Sequence, residues 1–171
     1  MPCPRIYRTT DTGCFQSDLA VPDVLLAAIA GFVAAILMTL FEFPFWRRWG
    51  LDGVAEWQMN SVIVSKIVGR SSREQQLPIS WAISGHLFHG TVAGIVFGLF
   101  LPIIRLLLPA TIMILLSAVL YSTILWLIFS IMLRATFEAA GNMRISNRAA
   151  LIALFSHCVY GFFLGLAISS I

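Results

Sequence analysis

The chain has 171 residues, of which 59% are hydrophobic and 11% charged, with a mean hydropathy of +0.90 and a formal net charge of +3. A soluble domain of this size carries about twice that share of charge, and so small a volume cannot hide so much apolar surface from water. A soluble globular enzyme, a disordered regulator and a nucleic-acid-binding module are therefore excluded, and the basic residues cluster at the ends of apolar runs.

Residues 1–22 read as a flexible tail with Pro2, Pro4, Thr9, Thr10 and Gly13. Its Cys3 and Cys14 are open to a disulfide, to zinc or to a free-thiol state. A membrane helix needs about 20 apolar residues to cross about 30 Å of hydrocarbon. Between Val24 and Trp46 the only charge is Glu42, which predicts a first span over 23–46. That run is too long for the core of a cleavable signal peptide and follows some polar-rich sequence. The connection 47–78 is ambiguous. Asp52 is placed to cap a helix through Glu56, Trp57 and Lys66, whose apolar residues share no single face, whereas Ser61-Val62-Ile63-Val64-Ser65 has the composition of a strand. An interfacial helix followed by a polar loop over 69–76 is the expectation.

From Gln75 to Leu133 the only charge is Arg105. Pro102, Arg105 and Pro109 divide this stretch into spans 79–104 and 110–133, a tight hairpin if proline ends or begins a helix. A fourth span covers 149–171, with Ser146 or Asn147 as its N-cap. The fold class that follows is all-α, an integral membrane four-helix bundle formed by a single domain over 23–171. Eight of the eleven basic residues (Arg47, Arg48, Lys66, Arg70, Arg73, Arg134, Arg144 and Arg148) fall on one side, and Arg5, Arg8 and Arg105 on the other. The positive-inside rule then puts both large connections in the cytoplasm and both termini outside. Trp46, Trp49, Trp57, Trp81 and Trp126 read as an aromatic belt.

An internal repeat joins the second and fourth spans. His86-Leu87-Phe88-His89-Gly90 with Gly94, and His157-Cys158-Val159-Tyr160-Gly161 with Gly165, both read H-x-x-(H/Y)-G-x-x-x-G. A weaker match, Ile36-Leu37 to Phe41 against Ile124-Leu125 to Phe129, extends it to the first and third spans. Two parallel-repeated helical hairpins result. Residues four apart share a helix face, so His86, Gly90, Gly94 and Gly98 form a glycine-zipper stripe, as do His157, Gly161 and Gly165, and Ala27, Gly31, Ala35 and Thr39. The third span lacks such a stripe and is expected at the periphery.

At a rise of 1.5 Å per residue, Glu42 lies about 7 Å, His86 about 9 Å, His157 about 12 Å and His89 about 13 Å inside the cytoplasmic boundary. Ionisable groups inside a membrane are costly and usually face a bundle interior, which makes them functional candidates. Against this stands plain packing: neutral histidines bonded across helix interfaces, and Glu42 reaching headgroups or pairing with Arg47 or Arg48. Three functional readings compete with it. His86 and His157 are placed to be the two axial ligands of a haem b, with the following glycines admitting the porphyrin edge. His86, His89, His157 and Glu42 form a ligand set suited to a transition metal. The same groups could pass protons or a small solute, although one small bundle would then need a dimer. Cys158 reads as a packing residue. No catalytic motif is present, so the expectation is a non-enzymatic structural or accessory membrane component whose partners are the lipid bilayer and a second copy or other membrane subunits, with no nucleic acid.

The two histidine–glycine segments, His86 or His89 with Gly90 and His157 with Gly161, resemble those of small four-helix prokaryotic inner-membrane proteins, the YagU-like family. The resemblance covers mainly spans two and four. It implies a prokaryotic plasma membrane and brings no activity with it.

Overall fold

A computed structural model describes residues 21–69, 78–107 and 111–170; the tail with Cys3 and Cys14, and most of the loop expected over 69–76, lie outside the described residues. Among the described residues six α-helices follow one another: α1 (Val21–Trp49), α2 (Ala55–Ile67), α3 (Ile79–Leu107), α4 (Thr111–Leu127), α5 (Arg134–Gly141) and α6 (Asn147–Ser169). A 3₁₀ turn over Gly50–Gly53 links α1 to α2, and a π-helical turn over Ile128–Met132 extends α4. No strand occurs among the described residues. Among the described residues four segments, carried by α1, α3, α4 with its π turn, and α6, are long and apolar enough to cross a membrane.

Two of the long helices run through proline. Pro44 sits inside α1, and α3 passes Pro102 to reach Leu107, three residues beyond the expected end. Proline removes one backbone hydrogen bond, and in membrane helices local adjustment accommodates the freed carbonyl. The α3 end is also tied to α1, since Arg105 Nη1 lies 3.8 Å from Asp23 Oδ2. The fourth span begins as expected: Ser146 is the N-cap of α6, its hydroxyl accepting the Ala149 N–H at 3.1 Å.

Small residues decide which helices pair. A methyl group on Gly31 of α1 would lie 2.7 Å from Gly90 O and 2.8 Å from Gly94 Cα of α3, so these backbones touch. On the other side, a methyl on Gly165 of α6 would lie 2.8 Å from Leu115 Cα, and one on Gly161 would meet Ser122 Oγ and Ala118 O of α4. α1 packs along α3, α4 packs along α6, and α1 meets α6 between them. Two expectations are corrected here. α3 and α4 barely meet and form no tight hairpin, because the glycine face of α3 is taken by α1 and the small residues of α4 face α6. And α4 does carry a stripe, Ile114, Ala118 and Ser122 at four-residue spacing, buried against the α6 glycines. Among the described residues one hydrogen bond runs from α4 to α3, from Tyr121 Oη to Ala93 O at 2.9 Å.

α2 departs furthest from expectation. Ala55, Glu56, Trp57, Gln58, Met59 and Asn60 are six consecutive buried residues, so the helix is enclosed around its full circumference at its N-terminal half. It is set into one end of the bundle against α3, α5, α6 and the 3₁₀ turn. Enclosure of that half is also why its sequence shows no single apolar face. The strand-like run Ser61–Ser65 is helical, tertiary contacts overriding β propensity. Asp52 caps nothing; it accepts from Gln58 Nε2 at 3.1 Å, and Val54 occupies the N-cap position.

Candidate functional site

The site is built where α2 enters the bundle. Glu42, near the end of α1, is wholly buried (0% exposed) and points inward, so it does not reach headgroups. His86 enters from the first third of α3 and is 5% exposed. Its Nε2 lies 3.7 Å from Glu42 Oε2. Around Glu42 stand Glu56, Ser156 and the Trp57 indole. Ser156 itself donates to Ile152 O at 2.9 Å, one turn back on α6.

His157, also on α6, has Nδ1 at 2.9 Å from Ala153 O. A carbonyl only accepts, so the hydrogen of this bond sits on Nδ1. The same Nδ1 lies 3.1 Å from Glu56 Oε1. Burial pushes the Glu56 carboxyl upward, but the adjoining His157 contact and charge, joined by His86, outweigh it and hold the group below the usual carboxylate range. Two acid–imidazole pairs therefore stand side by side, Glu42 with His86 and Glu56 with His157.

The residues named from the sequence are thus brought to one place, and the fourth, His89, lines the same cavity with His86, His157, Glu56, Gly90 and Tyr160. The cavity wall is fixed by a hydrogen bond from Tyr160 Oη to Gly90 O at 2.6 Å, which ties α6 to α3. Apart from Glu56 Oε1, which faces His157, five polar atoms here have no hydrogen-bond partner: both oxygens of Glu42, Glu56 Oε2, Trp57 Nε1 and His86 Nε2. Unpaired buried polar groups are expensive, and natural proteins carry few of them.

Comparisons with family models, with curated proteins and with solved structures give no match for this chain. Among the described residues no three His, Cys, Asp or Glu side chains are arranged to hold one metal ion; each carboxylate faces its own imidazole. The glycine after each histidine motif faces a neighbouring helix: a methyl on Gly90 would meet Ala35 Cβ, and one on Gly161 would meet Ser122 and Ala118. The approach imagined for a porphyrin edge is filled by protein.

Glu56 is the residue sequence reading missed. It lies outside the apolar runs, and a helix without an apolar face gives no hint that one of its acids is enclosed. Trp57 likewise leaves the expected belt: it is fully buried, with its ring 6.1 Å from that of Trp46. Trp49 does occupy a charged rim, between Arg48 at 5.2 Å and Arg148 at 4.9 Å from its ring centre. Cys158 is a free, half-buried thiol on α6.

Proposed function

We propose that this protein is an accessory, non-enzymatic component of a prokaryotic plasma membrane whose working part is a proton-exchanging acid–imidazole cluster at the cytoplasmic end of the bundle. The observation that carries this reading is the meeting of two carboxyls and two imidazoles, with five unpartnered polar atoms, inside helices apolar enough to span a bilayer. Groups held only for packing would be satisfied by their neighbours. Carboxyls and imidazoles together can take up and release protons across the physiological range, with His the group whose charge changes there.

The orientation rests on the excess of lysine and arginine at the α2 end, which the positive-inside rule assigns to the cytoplasm. The pairing of α1 with α3 and of α4 with α6 supports two parallel-repeated hairpins, consistent with the repeated His–Gly segments and with the likeness to YagU-like proteins. The outer faces, rich in exposed leucine, isoleucine and phenylalanine, meet lipid and neighbouring membrane subunits.

The reading is tested by infrared titration of the protein in liposomes over about pH 4–9, where carboxyl and imidazole groups ordinarily change charge. Wild type should show a reversible carboxyl band that is altered in both Glu42→Gln and Glu56→Gln. A wild-type spectrum without pH-dependent carboxyl or imidazole signals from the cluster would overturn it.

A further inference from the structure

We infer that His89 is the relay through which the buried cluster exchanges protons with the surface, along a passage between α2 and the π-helical turn that extends α4. This deepens the proton-exchange reading and rests on it. Two cavities carry the inference. The inner one holds His86 and Tyr160; the outer one is lined by Met59, Asn60, Ile63 and Phe129. Glu56, His89 and His157 belong to the walls of both. Ile63 is 37% exposed, so the outer cavity opens at the protein surface. Glu42, Glu56, His86 and His157 are all buried, and His89 is the histidine of intermediate exposure that stands between them and that opening.

His89 is held at this boundary by the π turn. Its ring lies 4.7 Å from that of Phe129, tilted by 53°, and Phe129 lies within the wide turn closed by the Leu133 N–H to Ile128 O bond. Turns of this kind insert one residue into a helix and re-aim its side chains. The ionisable groups around His89 are Glu56 from α2, His157 and Tyr160 from α6 and His86 from its own helix, with Glu42 of α1 behind His86. The remaining walls are uncharged: Ala35 and Met38 of α1, Leu125 of α4 and Phe129 of the π turn.

The transfer balances simply. A hydronium ion on the surface side gives a proton to one ring nitrogen of His89 and leaves as water. The imidazolium releases the proton on its other nitrogen to Nε2 of His157, whose Nδ1–H is already committed to Ala153 O. Glu56, 3.1 Å from Nδ1, offsets the charge that arrives. His89 returns to neutral, and one proton has moved inward with no other bond changed.

The test is a pH jump on the protein in liposomes, followed by the infrared bands of the cluster, for wild type and His89→Ala. The amplitude should be unchanged and the rate should fall on the order of 10²-fold, the usual worth of a positioned proton-transfer group. Imidazole added to the medium should restore the rate. If the alanine variant loosens the helices, His89→Gln carries the same expectation with a side chain that still contacts Phe129. Equal rates in wild type and both variants would overturn the relay while leaving the cluster's proton exchange standing. A wild type with no protonation change at all would overturn the parent reading and the relay together.

Discussion

Glu56 Oε1 lies 3.1 Å from Nδ1 of His157, and both side chains are about nine-tenths buried. The contact fastens α2, a short helix that does not cross the bundle, to α6, which does. α2 is otherwise joined to the preceding helix by only a 3₁₀ turn, so this pair helps to decide whether it stays enclosed.

Removing one member of such a pair should therefore cost more than removing both. Glu56→Leu alone, or His157→Leu alone, leaves a buried polar partner and should destabilise by about 3 kcal/mol or more, whereas an apolar replacement of both restores most of that. The measurement is a double-mutant cycle on detergent-resistant unfolding. Additive single and double variants would show that the two side chains do not interact.

Glycine contacts give a second, sharper contrast. Gly31→Ala forces a methyl to within 2.7 Å of Gly90 O and 2.8 Å of Gly94 Cα, both backbone atoms that cannot swing aside. Overpacking of this kind costs about 1–3 kcal/mol. Gly85→Ala, whose methyl would find Asn60 Cβ at 3.4 Å, meets ordinary contact distance and should leave thermal stability nearly unchanged. Equal losses in the two variants would mean that α1 and α3 are not held by backbone contact.

How much of this was readable from residues alone depends on the periodicity of each segment. The spans and the His86–Gly90–Gly94 stripe were legible because charge is excluded from membrane-length runs and small residues repeat every fourth position. The convergence of Glu42 with His86 followed from depth, since 1.5 Å per residue fixes level along a helix. Helix partners were less legible. Ala118 and Ser122 form a small-residue stripe between bulky neighbours, and only the α6 glycines opposite reveal its purpose. Glu56 was hidden for a different reason. The N-terminal half of its helix is enclosed on all sides, so no apolar face marks the buried acid.

The two tyrosines that cross between helices should differ in worth. Tyr160 Oη donates to Gly90 O at 2.6 Å from a site 2% exposed, whereas Tyr121 Oη donates to Ala93 O at 2.9 Å from a half-buried one. Tyr160→Phe should cost about 1 kcal/mol, the net value of a buried hydrogen bond. Tyr121→Phe should cost less, because water and lipid headgroups compete less unequally for an accessible hydroxyl. Thermal unfolding of the two variants in one detergent makes the comparison, and an equal or reversed order would contradict it.

A pH effect follows at the α5–α6 connection. The Glu138 carboxylate accepts the Ile145 N–H at 2.8 Å and the Arg134 Nε–H at 3.0 Å. The backbone N–H of Ile145 first, then the Arg134 side chain, hold its carboxyl below the usual range. Arg134 also donates to Asn147 Oδ1 and to Ile145 O, so one carboxylate organises the chain as it reverses into α6. Folding makes this acid harder to protonate. Its stabilising effect is therefore complete above the ordinary carboxyl value and is lost as pH falls through the lowered, folded value. Hydrogen exchange at the Ile145 amide should be slow at neutral pH and should lose protection in that acid window, after allowance for the intrinsic pH dependence of exchange. In Glu138→Gln the protection should be weaker at neutral pH and should no longer change across the window, because an amide has no proton to gain. Protection that still fell with pH in the glutamine variant would assign the effect to another acid.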